Sequence, residues 1–415
     1  MKIEEVDVLI IGAGPSGCVS AAYLANNNVN VKIIEKSKFP RYVIGESLLP
    51  RCMDHFEEVG LLESLKKQGF EKKHGARFLK KEKVCNFDFS LKHTEGWNWT
   101  WQVPRADFDN TLANEVQKKG VLIDFETEVT DVEFHDLYVL TSVKGKDGKT
   151  IQIKSKYVID SSGFGRVLPR LLNLDKPSTL PKHSSIFTQV KDINRPVGLE
   201  GTLITFDILE TQVWFWVIPF SNGNTSIGFV GPTDFINSYS GTPEERINEM
   251  IKTSPYFKSR FENLEYLFEP KIIRNFSKSV TKLYGDRFVL TGNSSEFLDP
   301  VFSSGVTFAT ESGLLASKLI LKELNNKKVN WNKEYVDYIS EGVNVFTTYV
   351  NEWYTGNLQK LFFHEPENKE IKKQICAVLA GYVWDKTNPF VTKHNRIVKS
   401  ITHLIDLETE TKIIN

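Results

Sequence analysis

Val6-Asp7-Val8-Leu9-Ile10-Ile11-Gly12-Ala13-Gly14-Pro15-Ser16-Gly17 is the stretch that decides the fold. Val6 to Ile11 are nearly all apolar, as expected of a parallel strand buried on both faces. Glycines follow at once in the order GxGxxG. Gly12 permits a tight turn, Gly14 lets the backbone approach a pyrophosphate, and Gly17 lets helix and strand pack closely. Pro15 opens a helix predicted over 15–27, with Val19, Ala22, Tyr23 and Leu24 on a common side. Around Pro15 and Ser16 its N-terminus offers unpaired N–H groups and partial positive charge to phosphates. A second strand is predicted over 29–35. It ends at Glu35, about twenty residues on, where a carboxylate binds the ribose hydroxyls of an adenosine.

Outward from this βαβ unit, a helix is predicted near 108–119 and strands near 121–125 and 129–134. A hairpin follows, with strands Leu137 to Val143 and Thr150 to Ile153 joined through Asp147-Gly148, a strong reverse-turn signal. Residues 183–275 are richer in β-branched and aromatic residues, and Ser221-Asn222-Gly223-Asn224 turns Val213 to Pro219 back onto Thr225 to Val230. This predicts an antiparallel sheet inserted into the first domain. Beyond residue 330 helical spacing takes over, as in Phe346, Tyr349, Val350, Trp353, Tyr354, Leu358, Leu361 and Phe362. One reading packs this apolar stripe on the core; the other gives some of its aromatics to the roof of a substrate pocket.

The 415 residues exceed what one hydrophobic core usually serves. Lysine plus arginine equals aspartate plus glutamate at 52 each, so no net field draws the chain to nucleic acid or an anionic membrane. Cys18, Cys52, Cys85 and Cys376 lie far apart without a C-x-x-C pair, and the histidines show no triad or metal pairing, so no metal site is expected. No secretory signal opens the chain, and no apolar stretch approaches the roughly 18 to 20 residues of a transmembrane helix. The expected location is the cytoplasm.

Three further segments resemble FAD monooxygenases of the para-hydroxybenzoate hydroxylase type. Arg105, in Val103-Pro104-Arg105-Ala106-Asp107, matches the arginine that family places near the flavin. Val158-Ile159-Asp160-Ser161-Ser162-Gly163 is similar to its strand-terminal Asp-x-x-Gly. Gly285 to Asn293 is similar to the motif whose final Gly-Asp holds the ribityl chain, here Gly292 and Asn293. Asparagine replaces the usual aspartate and still accepts a hydrogen bond from a ribityl hydroxyl. The implied cofactor is FAD. A helix predicted over 305–319 would point its positive end at the flavin.

The resemblance sharpens to flavin-dependent halogenases. It rests on Phe39-Pro40-Arg41 leading into Gly45-Glu46-Ser47-Leu48-Leu49-Pro50, on Phe70 to Phe78, on Trp214-Phe215-Trp216-Val217-Ile218-Pro219 as WxWxIP, and on Asp299-Pro300-Val301-Phe302-Ser303-Ser304-Gly305-Val306. It implies that Arg41, Ser47, Pro300 and Gly305 join the cofactor residues, and that Ser304 and Gly305 form the halide side. Trp214 and Trp216 would keep flavin-activated oxygen from meeting substrate directly; as alternate residues of a strand they also read as core. Lys73 matches the lysine that relays hypohalous acid, against the plain reading of a solvated lysine in Glu71-Lys72-Lys73. Phe302 stands where tryptophan halogenases carry glutamate, which favours a ring that activates itself, a phenol or pyrrole.

The expected fold is α/β: a Rossmann-like FAD-binding domain (1–75, 105–182 and 276–330), an inserted antiparallel-sheet substrate domain (76–104 and 183–275), and a helical C-terminal region (331–415). The expected activity is FAD-dependent halogenation of an electron-rich aromatic. A hydroxylase, a geranylgeranyl-reductase-like flavoprotein and a non-catalytic flavin-binding protein remain as alternatives. No second dinucleotide motif is visible, so a separate flavin reductase is the expected electron donor; the substrate is a small aromatic, free or borne on a carrier protein.

Overall fold

The computed structural model describes residues 3–364 and 369–414. The expected ranges 1–75 and 331–415 include residues 1, 2, 365–368 and 415, which lie outside it. Strand Ile3–Ile11 runs parallel to Val31–Ile34 on one side and to Thr150–Asp160 on the other. Phe288–Leu290 and Leu122–Asp124 extend the sheet in parallel. Alternation along the first strand explains its unbroken apolar run: Val8 and Ile10 join one buried cluster while Leu9 and Ile11 join the cluster on the opposite face.

Helix Pro15–Asn26 follows the glycine turn and packs against the long helix Gly305–Leu324. The two approach closely at Gly313, where an added Cβ would stand 2.8 Å from the Ser16 carbonyl oxygen. Ser20 Oγ donates to the Gly313 carbonyl at 3.0 Å. The middle of the long helix is thereby held against the first turns of the first.

A second sheet among the described residues has the order Lys271–Arg274, His183–Lys191, Asn224–Pro232, Val213–Pro219, Thr205–Glu210, Gly75–Lys80, Lys83–Asp88. It is antiparallel except where Gly75–Lys80 pairs parallel to Thr205–Glu210. Trp214 and Trp216 face the C-terminal helices, whereas Phe215 and Val217 face a cluster with Ile236, Ile247 and Met250.

Two elements differ from the sequence reading. The strand starting at Thr150 does not stop at Ile153 but runs to Asp160, because Val139–Gly145 and Ile3–Ile11 pair with it from both sides. The aromatic stripe from Phe346 to Phe362 is not one helix. It spans Tyr338–Tyr354 and Asn357–Phe363, broken at Gly356 with φ 86°. All eight stripe residues are buried. No helix among the described residues is long and apolar enough to cross a membrane.

Candidate functional site

The glycine turn, the end of the second strand and the Trp214 strand enclose a cavity of about 470 Å³. Gly12 has φ 101°, and a Cβ there would stand 2.5 Å from the Ser161 carbonyl oxygen; at Gly17 it would stand 2.0 Å from the Gly12 carbonyl oxygen. These two glycines serve backbone packing. Gly14 is different: its Cβ position meets only an Arg41 guanidinium nitrogen at 3.8 Å. The open space lies on the cavity side, where a pyrophosphate can approach the helix N-terminus.

Glu35 is buried at the cavity edge. Ala13 N–H donates to its Oε2 at 2.9 Å and Ser37 N–H to its Oε1 at 2.8 Å. Each oxygen keeps a further lone pair for a ribose hydroxyl. Arg105 grips Asp109 through two nitrogens at 2.8 and 2.9 Å and donates to the Ile44 and Gly45 carbonyls. Arg41 reaches the same Asp109 at 3.0 Å. The fully buried Asp109 thus bridges both arginines and fixes the segment from Arg41 to Ser47 along the cavity wall.

Of the residues singled out in the sequence, Gly12, Gly14, Pro15, Ser16, Glu35, Arg41, Ser47, Arg105, Trp214, Trp216, Gly292, Asn293, Pro300 and Gly305 line this cavity. Gly17, Lys73, Asp160 and Ser304 do not. Asp160 takes N–H donors from Ser162 and Leu168 at 2.8 and 2.6 Å. Its carboxylate therefore organises the loop after its strand instead of facing the cavity. Ser304 is buried at the start of the long helix, and Ser303, with φ 56°, takes the wall position.

Lys73 is 2% exposed, so it is not a solvated member of its charged run. Strand Glu71–Lys73 pairs with Thr100–Gln102, which turns Lys72 outward over the Trp99 ring at 5.0 Å and Lys73 inward. Lys73 Nζ donates to Ser47 Oγ and to the Leu48 carbonyl, both at 2.8 Å. Burial lowers its amine to about 7. Ser47 is the link between this amine and the cavity.

Both tryptophans are buried in the core and also line the cavity. Trp214 Nε1 donates to the Tyr354 hydroxyl at 3.2 Å, which donates to Asp299 Oδ2 at 3.0 Å. Asp299 Oδ1 accepts from Val301 N–H at 2.9 Å and so caps the Pro300–Phe302 turn. Burial pushes Asp299 up to about 7.

Glu46 is a further candidate, to which its motif in the sequence gives no role. It lines the cavity at 2% exposure and accepts from Gln189 Nε2 at 2.6 Å, while its Oε2 lacks a partner of good geometry among the described residues. Burial raises its carboxyl to about 7 against the pull of its hydrogen bonds and of Arg105. The only sequence signal was its place between Gly45 and Ser47.

A parallel sheet with this glycine turn, an edge carboxylate and an aromatic-walled cavity fits a dinucleotide-dependent enzyme. The FAD binding domain family matches residues 5–306, and the chain belongs to that family; FAD is its cofactor. Within it the protein is a halogenase-like flavoprotein. The 1H-pyrrole-2-carbonyl-[peptidyl-carrier protein] brominase of Pseudoalteromonas luteoviolacea is 27% identical over 92% of this chain and 94% of its own. The structure of the flavin-dependent brominase Bmp2 matches at TM-score 0.83 and 26% identity, covering 98% of this chain and all of its own. A flavoprotein/dehydrogenase from Cytophaga hutchinsonii matches at TM-score 0.96 and 49% identity, covering 98% of this chain and all of its own.

Proposed function

We propose that the protein halogenates an electron-rich aromatic ring of the phenol or pyrrole type. FAD bound here and reduced by a separate flavin reductase would supply the activated oxygen needed to turn halide into hypohalous acid. Gly14, Ser16 and Glu35 would hold its ADP half, and Arg41, Ser47, Arg105, Gly292 and Asn293 would flank the remainder. Trp214 and Trp216 keep the aromatic substrate off that side of the cavity.

The observation that carries the reading is Lys73: a buried amine lowered to about 7 and tethered to a cavity-wall serine. At neutral pH a large share of it is the free base. The amine nitrogen takes the halogen from hypohalous acid, and the released hydroxide leaves with the amine proton as water. An activated ring carbon then takes the halogen, and its proton returns to the amine. Phe302 offers no carboxylate to stabilise a ring cation, which favours rings that carry their own activating group. Two relatives act on pyrrole-2-carbonyl groups borne by a peptidyl carrier protein, which supports a carrier-bound substrate here too.

The test is aerobic turnover with FAD, NADH, a flavin reductase and a panel of phenols and pyrroles, with bromide present or omitted, read by mass spectrometry. A brominated product that requires bromide is expected. The Cytophaga neighbour's description as a dehydrogenase favours a second reading, an FAD oxidoreductase acting without halide. A product formed equally without bromide would establish it.

A further inference from the structure

Tyr349 and Trp353 lie four residues apart on helix Tyr338–Tyr354, so their side chains share one of its faces. Both are 0% exposed. Neither the Tyr349 hydroxyl nor Trp353 Nε1 meets a hydrogen-bond partner among the described residues. Buried polar groups of folded chains are nearly always paired, so two orphans on one helix face require an explanation. The next residue sharpens the contrast: the Tyr354 hydroxyl is bonded both to Trp214 and to Asp299.

The two orphans bracket one ring. Phe302 stands 6.0 Å from Tyr349 and 5.8 Å from Trp353 between centroids, edge-on to each at 82°. Phe302 belongs to the Pro300–Phe302 turn, whose neighbours Pro300, Ser303 and Gly305 line the cavity. The site of orphaned donors therefore adjoins a wall of the cavity.

We propose that the Tyr349 hydroxyl and the Trp353 indole N–H form the polar end of a substrate subsite that grips an uncharged carbonyl oxygen carried on the aromatic ring. An indole N–H can only donate, so a ligand atom shared with it must be an acceptor. The surrounding side chains are rings: Phe302, with Phe78 and Phe362 behind Trp353 at 5.5 and 5.7 Å. They offer an aromatic substrate flat contacts but no positive charge, so a carbonyl fits and a carboxylate, unpaired in such surroundings, does not. Phe302, on a turn that ends at the left-handed Ser303, is the ring that gives way when the substrate seats. The assignment rests on the reading that an aromatic ring reacts here, and it adds which substituent that ring bears.

The experiment measures binding to the FAD-loaded protein by equilibrium dialysis, without turnover. The probes are pyrrole, phenol and indole, each paired with its 2-carboxamide. At least one carboxamide should bind more tightly than its parent ring. Tyr349→Phe should weaken that carboxamide about tenfold, the scale of one neutral hydrogen bond, while leaving the parent ring and FAD unchanged. Trp353→Phe should reduce the same preference. Tyr349→Phe should also raise the melting temperature of the ligand-free protein, because it deletes an unpaired buried hydroxyl. If no carboxamide outbinds its parent, or if the preference survives both substitutions, the subsite is wrong. A hydroxylated product, or turnover without bromide, would instead remove the halogenation reading and leave this subsite standing.

Discussion

Gly14→Ala separates cofactor binding from folding. Gly14 sits at φ −75° and ψ −174°, which alanine adopts without strain. Its added methyl would meet only the end of the Arg41 side chain, at 3.8 Å. Replacing glycine by alanine at a compatible position stabilises by about 0.4–1 kcal/mol through the unfolded state, so the apo protein should be unharmed or slightly more stable. The same methyl projects into the space that a pyrophosphate would fill. Losing one charge-assisted hydrogen bond from a backbone N–H costs about 1.5–3 kcal/mol, or roughly ten- to 150-fold in affinity. Gly17→Ala is the contrasting control. Its methyl would stand 2.0 Å from the Gly12 carbonyl oxygen, so the strand-helix contact itself must break. Thermal unfolding of the apo proteins and calorimetric titration with FAD check both. Unchanged FAD affinity in Gly14→Ala, or an apo protein markedly destabilised by it, refutes the placement of the pyrophosphate.

Three further outcomes follow from the buried ionisable groups. Lys73→Met, which keeps the volume but removes the amine, should still reoxidise flavin in air yet give no halogenated product, whereas Lys72→Ala should match the parent; full product yield from Lys73→Met would end the assignment. Glu46 should lower apo stability as pH rises, because its folded carboxyl titrates near 7 against an unfolded value near 4.5. Between those values the folded chain holds a proton that the unfolded chain has released. Glu46→Gln should therefore gain on the parent from pH 5 to pH 8, by at most about 3 kcal/mol, and a pH-independent difference in denaturant unfolding would contradict this. Ser47→Ala removes an acceptor from the Lys73 ammonium and should depress that amine further, so the rise of product yield with pH should move to lower pH; an unmoved profile would show that Ser47 does not govern Lys73.

The parallel unit was legible because its determinants are local: an apolar run, three glycines at fixed spacing and a strand-end carboxylate. The tryptophan hairpin was legible for the same reason, since Asn222-Gly223 sets the turn. What escaped depends on distant pairing. Resemblance alone singled out Lys73; its burial escaped, because Glu71-Lys72-Lys73 reads as a solvated run until Thr100–Gln102 pairs with it and alternation turns Lys73 inward. Glu46 has its partner Gln189 143 residues away, in the other sheet. Asp160 differs in the opposite sense: a strand-end aspartate looks like a ligand grip, yet its fully buried carboxylate lies off the cavity lining and binds the N–H groups of Ser162 and Leu168. Composition holds no sign of that competition.

The segment from Arg41 to Leu48 is where these strands of argument meet. Asp109 bridges Arg41 and Arg105, Arg105 clamps the Ile44 and Gly45 carbonyls, and Val103 N–H donates to the Glu46 carbonyl at 2.7 Å. Two residues later the same segment supplies both acceptors of Lys73, Ser47 Oγ and the Leu48 carbonyl. The cavity wall and the amine are therefore positioned by one stretch of backbone, with the amine on its far side. In the proposed reaction such a layout would hold the amine apart from the cavity, with a single hydroxyl between them. It also explains why a lysine buried without a carboxylate partner is tolerated: two neutral acceptors satisfy two of its donors, and its lowered pKa lets it shed the charge that burial penalises.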